Sequence, residues 1–380
     1  MPADVEALLE LVGRAGRRGR RLAAGVDLVR SVGVGEARRR RRDDERLAAL
    51  EGDGRRPGYT GMWHEAAAGA GAVAADLGGG FLAFRRGAAY ARVWNNWVGL
   101  DDVVTARLAA DKERAHRLLT QAGLPVPPHR RFDTRDLGPA RDFLGRCGGP
   151  CVVKPVSGAG GSGTTSGVRT VRQLRRARLR AARLHDELLI ERQVPGDVMR
   201  FLLLDGELLD VIQRRPPTVV GDGRSTISEL IAAENERRFL AAAGERPWLL
   251  RPDLDCVFTL EARGLRLSSV PTAGARVAVK TAVSQNGPAD NESVLGTVGD
   301  ALVADATRAA DAVGVRLAGV DVITNDPGVS LRDSGGAVLE VNATPGLHYH
   351  YEVRDPAGAV PVAELILERL LAGWAAAAPA

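Results

Sequence analysis

The sequence predicts an α/β fold of the α+β kind, in which antiparallel strands and helices are interspersed along the chain. Residues 199–215 are two apolar runs joined by an Asp-Gly turn, which is typical of a β-hairpin. Residues 151–167 begin as an apolar strand, continue as a glycine-rich loop and return in a β-branched run. Residues 319–324 and 337–346 add two short apolar strands. A chain of 380 residues is long enough to give such elements two or three sizeable cores.

Composition and element order divide the chain into four expected units. Residues 1–55 are an Arg-rich arm, helical or mobile, and 56–105 form a small α/β unit that follows a Gly- and Pro-rich linker. Residues 106–187 carry the glycine-rich loop, and residues 188–375 carry the two acidic strands.

Helices are expected from apolar spacing and capping residues. They cover residues 62–75, 101–123 with a break at Asp111–Lys112, 139–145, 171–185, 225–239 with Ser225 as N-cap, 294–313, and 360–372. Further strands are expected at residues 81–84, 89–93 and 188–196, and the repeated prolines of residues 124–132 predict an extended segment.

Composition favours a cytoplasmic protein without a membrane segment. No apolar run approaches 20 residues, and the N-terminus has no apolar signal-peptide segment. The three cysteines show no metal-binding spacing and are expected to be reduced thiols. The net charge of +5 is modest.

Two arginine runs, at residues 17–21 and 38–42, raise the possibility of nucleic-acid binding. No aromatic residues alternate with them, as stacking on single strands would require. Residues 5–12 show a short helical period, so solvated helix faces are the favoured interpretation.

The two acidic strands predict an oxygen-ligand site. In an extended strand Glu340 and Asn342 share one face, while Leu339 and Val341 point to the other face and into a core. If the strands pair antiparallel, Asp321 joins the carboxylate and the amide. Oxygen ligands without His or Cys suit Mg²⁺ or Mn²⁺. The alternative is the solvated face of a half-buried strand.

The glycine-rich loop formally contains G-x-G-x-x-G. A dinucleotide fingerprint requires these glycines to open a helix, but TTSGVRTV follows; a P-loop requires G-K-[ST], which is absent. The favoured interpretation is a flexible loop between antiparallel strands that folds over a nucleotide triphosphate, with Lys154 on the preceding strand reaching the same phosphates. A glycine-rich surface hairpin is the alternative. The loop residues expected to contact phosphate are Ser157, Gly158, Gly160, Gly161, Ser162 and Gly163.

The order of motifs resembles the ATP-grasp superfamily: DK, VVKP with the glycine-rich loop, IERQVPG, GVDV and EVNATPG. LLIERQVPGDVMRFLLLDGELL and PPTVVGDGRSTISELI are similar to the ATP-grasp portion of cyanophycin synthetases and of bifunctional glutathione-forming ligases. The resemblance covers residues 101–372. It implies two α/β subdomains that grip ATP, with residues 106–187 as the lid and 188–375 holding magnesium.

The resemblance also implies roles for individual residues. Lys112 and Lys154 would contact phosphates, Glu191 would hold the adenine amino group, and the backbone near Val194 would form the adenine hinge. Arg200 would lie near the phosphates or the acid substrate.

Asp321, Glu340 and Asn342 match the family's magnesium ligands, for which two ions are expected and Mn²⁺ is an alternative. Lys280 matches a basic residue that precedes a loop of the type NLSTGG, but here TAVSQNGPADNES follows. Arg200 or Lys280 is expected to stabilise the oxyanion of a tetrahedral intermediate.

The expected activity is ATP-dependent joining of a carboxylate to an amine through an acyl phosphate, releasing ADP and phosphate. The substrates would be amino acids or short peptides, and related ligases suggest a homo-oligomer. A kinase of the same fold, and a basic nucleic-acid-binding protein with a degenerate ATP site, are the alternatives. The second ligase module of cyanophycin synthetases is not recognised here, so cyanophycin formation itself is not expected. His348 and His350 are expected either to position a substrate or to be ordinary loop histidines.

Overall fold

The computed structural model describes residues 17–50, 59–158, 160–241 and 248–377. Its helices are α1 (Arg17–Val32), α2 (Val34–Leu50), α3 (Tyr59–Gly69), α4 (Val103–Ala110), α5 (Lys112–Gln121), α6 (Gly138–Arg146), α7 (Val171–Ala181), α8 (Ile227–Ala241), α9 (Leu254–Glu261), α10 (Asp300–Val313) and α11 (Val362–Ala377).

The strands are β1 (Val73–Gly78), β2 (Phe81–Arg86), β3 (Ala89–Trp94), β4 (His129–Asp133), β5 (Cys151–Pro155), β6 (Thr165–Val168), β7 (Glu187–Arg192), β8 (Asp197–Leu204), β9 (Glu207–Arg214), β10 (Thr218–Val220), β11 (Arg276–Ala278), β12 (Asn291–Ser293), β13 (Leu317–Thr324) and β14 (Ala337–Asn342). No helix in these described segments is both long and apolar enough to cross a membrane.

A five-stranded antiparallel sheet, in the order β12-β9-β8-β13-β14, is covered on both faces. Because side chains alternate along β8, Phe201 and Leu203 pack towards α5 and α10, while Leu202 and Leu204 pack towards α3 and α11. Arg200 alternates with Phe201 and so shares the face of Leu202. The sheet therefore carries its charged residues on the face that the N-terminal unit covers.

A second sheet, in the order β4-β7-β5-β6, carries the glycine-rich loop between β5 and β6. Val153 and Ile190 from its strands pack against Leu174 of α7 and Phe258 of α9. Thr170 and Gln173 form a capping box that begins α7. The expected hairpin return after the loop is confirmed by the antiparallel pairing of β5 with β6.

Two smaller units pack around these sheets. The meander β1-β2-β3 packs with α3 and α11 through Trp63 and Phe84, which are fully buried. The two-stranded sheet β10-β11 packs with α8 and α9. The arm helix α1 lies against α7 through Ala23, Ala24 and Leu179.

Several helix boundaries expected from the sequence are wrong. The helix expected at residues 62–75 ends at Gly69, and residues 73–78 form β1 at the edge of the meander. The helix expected at 294–313 begins only at Asp300, because the preceding turn places Gly296 at φ +81°. Thr226, and not Ser225, reciprocates hydrogen bonds with Glu229 at the start of α8. The periodic segment at residues 5–12 lies outside the described residues.

The close approach of β8 to β13 gives a testable prediction. Gly196 has φ +134°, and a Cβ added there would lie 2.6 Å from the Thr324 carbonyl oxygen. We expect Gly196→Ala to lower the free energy of unfolding by about 2 kcal/mol or more, measured by urea denaturation. Gly25→Ala is the control, since nothing lies within 4 Å of its added Cβ; it should be neutral or slightly stabilising. Equal stability of the two variants would contradict this account.

Candidate functional site

The two acidic strands pair antiparallel, as the sequence predicts. Asp321 of β13 lies opposite Glu340 of β14, and Gly319 lies opposite Asn342. Directly opposed residues share a face, so both carboxylates and the Asn342 amide project to the same side of the sheet. The Asn342 amide nitrogen donates to the Gly319 carbonyl oxygen at 3.2 Å and to Asp321 Oδ2 at 3.4 Å.

The expectation that Leu339 faces the core is wrong. The pairing shifts between Asp321 and Val322, so that Val322 lies opposite Val338 and Leu339 is the extra residue of a β-bulge. Val338 is buried in its place and Leu339 is partly exposed, while Val341 is buried as expected. The bulge leaves the expected common direction of Glu340 and Asn342 unchanged.

Arg200 of β8 pairs with Asp321 through two hydrogen bonds. Arg200 Nε donates to Asp321 Oδ1 at 2.8 Å, and Nη2 donates to Oδ2 at 2.6 Å. Burial would raise the pKa of Asp321, but Arg200 outweighs it and holds that pKa below its ordinary value. The carboxylate is therefore an anion within this buried pair.

Lys112 joins the two sheets. It is the first residue of α5, where the break between α4 and α5 at Asp111 turns the chain towards the glycine-rich loop. Its backbone N–H donates to the Val156 carbonyl oxygen at 3.0 Å, and its Nζ donates to the Gly158 carbonyl oxygen at 2.8 Å. The same Nζ lies 3.0 Å from Glu340 Oε1. Lys112 thus links the loop to the acidic strand.

Lys154 and Glu191 form a second buried pair. Val152 of β5 lies opposite Glu191 of β7, so Lys154 is its diagonal neighbour on the same face. Lys154 Nζ lies 2.8 Å from Glu191 Oε2. Val194 follows β7 in the connection to β8 and is half-buried.

The described residues of the glycine-rich loop form turns that require glycine. Gly158, Gly160, Gly161 and Gly163 all have positive φ. A Cβ added to Gly161 would lie 2.5 Å from Ser284 Oγ. The loop therefore closes against residues 281–293, the segment in which this sequence departs from the NLSTGG pattern.

Lys280 is not brought into the Arg200–Asp321 cluster. Its Nζ lies 2.7 Å from Asp253 Oδ2 and 3.0 Å from Gln285 Oε1, and its side chain is buried. Asp253 also accepts from Arg180 Nη2 at 2.7 Å. Lys280 thus ties the start of α9 to the divergent loop.

Residues that the sequence reasoning missed lie beside Arg200. Arg214 of β9 is buried, and its guanidinium carbon lies 4.1 Å from the centre of the Tyr349 ring. Within the described segments its Nε has no hydrogen-bond partner. The register places Arg214 on the same face as Arg200, so strand alternation was the available signal.

His348 is enclosed by aromatic side chains from distant segments. Tyr59 Oη lies 2.9 Å from His348 Nδ1, and the Trp248 ring stacks at 5.9 Å. Burial, followed by Arg200 and Arg214, lowers the pKa of His348 to about 3. The imidazole is therefore neutral at physiological pH.

Two other histidines, His116 and His350, are buried within the protein. His350 Nδ1 lies 2.8 Å from Asp210 Oδ2, and both side chains are fully buried. His116 of α5 lies behind β14, with Nε2 3.1 Å from the Leu339 carbonyl oxygen. Burial, followed by Lys154, lowers the pKa of His116 to about 3.

The residues at the acidic strands fit magnesium by their chemistry. No cluster of three His, Cys, Asp or Glu able to hold a metal occurs among the described residues, so an ion here would depend on Asn342 and on substrate oxygens. The bonds of the Asn342 amide nitrogen leave Oδ1 available to a ligand. Lys112 Nζ lies against Oε1 of Glu340. Asp321 is already bound by Arg200 and would share its remaining lone pairs.

The chain is similar in sequence to cyanophycin synthetases and to bifunctional proteins of glutathione biosynthesis. No protein-family model matches the chain. The cyanophycin synthetase of Trichormus variabilis is 32% identical over 273 residues, which is 68% of this chain and 29% of that protein. The glutathione biosynthesis bifunctional protein of Enterococcus faecalis is 28% identical over 261 residues, covering 67% of this chain and 34% of that protein. The chain thus spans about a third of the length of these curated relatives.

The crystal structure of a bifunctional glutathione synthetase from Pasteurella multocida superposes with a TM-score of 0.50, at 24% identity, over 80% of this chain and 42% of that one. The chain has the ATP-grasp fold. The fold class predicted from the sequence is confirmed, and so is the resemblance to ATP-grasp ligases of the cyanophycin synthetase type.

The buried Asp253 cluster gives a prediction with a defined pH dependence. Burial would raise the pKa of Asp253, but Arg180 and Lys280 outweigh it and hold that pKa well below the ordinary 3.8. Asp253→Asn leaves both cations without an anion, while asparagine can still cap α9. We expect a loss of about 3–5 kcal/mol of unfolding free energy at pH 7.

A carboxylate whose pKa is lowered on folding contributes its full stabilisation when the pH is above its pKa in the unfolded chain. That stabilisation is lost as the pH falls towards the pKa in the folded protein. The difference between wild type and Asp253→Asn should be equal at pH 7 and pH 5.5 and smaller at pH 3, measured by urea denaturation. Exposed Asp142→Asn is the control and should be neutral throughout. A difference that grows on acidification would contradict the assignment.

Proposed function

We propose that this chain is an ATP-dependent carboxylate–amine ligase that forms an amide or peptide bond through an acyl phosphate. The observation that carries the proposal is the convergence of Lys112, Glu340 and the glycine-rich loop at one point between two sheets. The relatives are named for the synthesis of cyanophycin and glutathione. The arrangement of the site is compatible with the same kind of reaction, formation of an amide bond.

ATP binding would use both lysine–carboxylate pairs. Lys154 and Lys112 would neutralise phosphate oxygens, and the amides of Ser157 to Gly163 would donate to them. Glu191 and the backbone near Val194 would receive the adenine, because they lie where β7 ends beside β5.

Glu340, Asn342 and Asp321 would hold magnesium, which would neutralise phosphate charge. The family resemblance favours two ions, and Mn²⁺ could replace Mg²⁺ at the same oxygen ligands. The bidentate Arg200–Asp321 pair would orient Asp321 towards the cleft.

The acid substrate would be held by Arg214 and Arg200. A buried guanidinium without an anion is unfavourable, so a substrate carboxylate beside Arg214 would satisfy it. The carboxylate oxygen then attacks the γ-phosphorus, ADP leaves, and the amine attacks the acyl carbon with release of phosphate. Closure of the glycine-rich loop against Ser284 excludes the water that would hydrolyse the acyl phosphate.

His348 would accept a hydrogen bond from the amine substrate. Its Nε2 is buried and has no partner among the described residues, and its lowered pKa keeps it neutral. Tyr59 and Trp248 fix the ring from the N-terminal unit and from the segment before α9. These segments would select the amine, which is expected to be an amino acid or a short peptide.

The first prediction concerns the acyl phosphate itself. With Mg-ATP, a pool of amino acids and short peptides, and hydroxylamine as trap, the protein should yield a hydroxamate together with ADP and phosphate. Glu340→Gln should reduce hydroxamate formation at least about 100-fold, as expected for loss of a group that stabilises developing charge. The exposed Glu368→Gln is the matched control and should retain the wild-type rate.

The product pattern separates the alternatives. AMP with pyrophosphate would mean adenylation and would contradict the mechanism. A stable phosphorylated hydroxyl product without hydroxamate would favour the kinase.

The role of Arg214 is tested once the acid is identified. Arg214→Gln should raise KM for the acid about tenfold or more with a smaller effect on kcat, because a charge-assisted hydrogen bond is lost. Arg215→Gln is the matched control. Arg215 is the next residue in the chain, but its side chain is half-exposed and pairs with Glu292. A fall in kcat with unchanged KM would show that Arg214 does not bind the acid.

A further inference from the structure

A second cleft lies between the arm helices and α7. It is bordered by α1, α2, α7 and the start of α9. We call it the arginine pocket, after its charged lining: Arg40, Arg176, Arg180 and Arg183, with Asp27 and Asp253 as the only carboxylates among the described lining residues. None of these side chains belongs to the proposed ligase site.

Both carboxylates of the arginine pocket are already engaged. Asp27 Oδ1 accepts from Arg176 Nε at 3.0 Å. Asp253 Oδ2 accepts from Arg180 Nη2 at 2.7 Å and lies 2.7 Å from Lys280 Nζ. Asp27 thus pairs with one cation, and Asp253 pairs with two.

The pocket therefore carries surplus positive charge. Among the described residues, Arg40 and Arg183 form no ion pair with a lining carboxylate, and Arg180 Nη1 is buried without a hydrogen-bond partner. Burial and then Arg251 lower the pKa of Arg40. Partial burial and then Arg180 lower the pKa of Arg183, whose side chain is still exposed at the rim. Cations brought together in this way are stabilised by an anion between them.

We propose that the arginine pocket binds a small phosphate-class oxyanion, such as inorganic phosphate or the phosphate group of a small metabolite. The guanidinium fork of arginine matches tetrahedral oxyanions through paired hydrogen bonds, and four arginines line this cleft. The bound anion would cross-link α2 of the arm to α7 beside the second sheet. The proposal does not depend on the ligase reaction.

The chemistry of the lining argues against a nucleic acid. The described lining residues are arginine, aspartate, alanine and leucine, and no aromatic ring is available for base stacking. The pocket is also bordered by four helices, whereas a nucleic-acid backbone requires an extended track of phosphate contacts.

The test is isothermal titration calorimetry of the full chain with inorganic phosphate at constant ionic strength. The nucleotide cleft is filled throughout with saturating magnesium and a non-hydrolysable ATP analogue, which occupies the γ-phosphate position. The double variant Arg40→Gln/Arg183→Gln should weaken phosphate binding at least tenfold. Arg38→Gln/Arg169→Gln, which removes the same charge from exposed positions on α2 and just before α7, should bind within twofold of wild type.

Each other outcome overturns the proposal. Absence of phosphate binding, its loss when the analogue is present, or equal affinity in both double variants would mean that the arginine pocket is not an anion site. Displacement of phosphate by a short oligonucleotide, with tighter binding of the latter, would assign the arginines to nucleic acid. If the double variant has a lowered thermal midpoint, the single variant of exposed Arg183→Gln carries the same comparison.

Discussion

Charge pairing inside the cleft is the constraint on which the site depends. Lys112 and Lys154 are both buried, and a buried ammonium without an anion is strongly unfavourable. Glu340 and Glu191 supply these anions. The groups proposed to bind phosphate and the groups proposed to bind magnesium or adenine therefore neutralise one another. Binding of Mg-ATP would exchange one set of opposite charges for another, so neither partner is left buried alone.

The same constraint explains why three separate parts of the fold meet here. The break between α4 and α5 directs Lys112 towards the loop, and the pairing of β5 with β7 brings Lys154 to Glu191. The contact of Gly161 with Ser284 adds the divergent segment to the closed cleft. A substitution in that segment is thus expected to affect closure of the glycine-rich loop.

Local sequence patterns predicted part of this arrangement for clear physical reasons. Alternation along β14 is a property of the strand itself, so the shared face of Glu340 and Asn342 could be predicted. The bulge at Leu339 could not, because it depends on register against β13. The bidentate pairing of Arg200 with Asp321 was also missed, since the two residues are far apart in the chain and only the sheet order places them together.

Other features arise only from packing between distant segments. Tyr59, Trp248 and His348 come from three different parts of the chain, and no local pattern indicates that they meet. Lys280 was predicted from motif position alone, and the structure instead places it with Asp253. The arginine runs predicted helix faces, but the pocket that the arm forms with α7 depends on tertiary contact.

The most direct test of the central claim is a crystal structure with Mn²⁺ and a non-hydrolysable ATP analogue, using anomalous scattering to locate the metal. The account predicts a manganese peak bound by Glu340 and Asn342 oxygens, with the phosphates against Lys112, Lys154 and the glycine-rich loop. A nucleotide bound elsewhere, or a metal without contact to Glu340 and Asn342, would contradict the account.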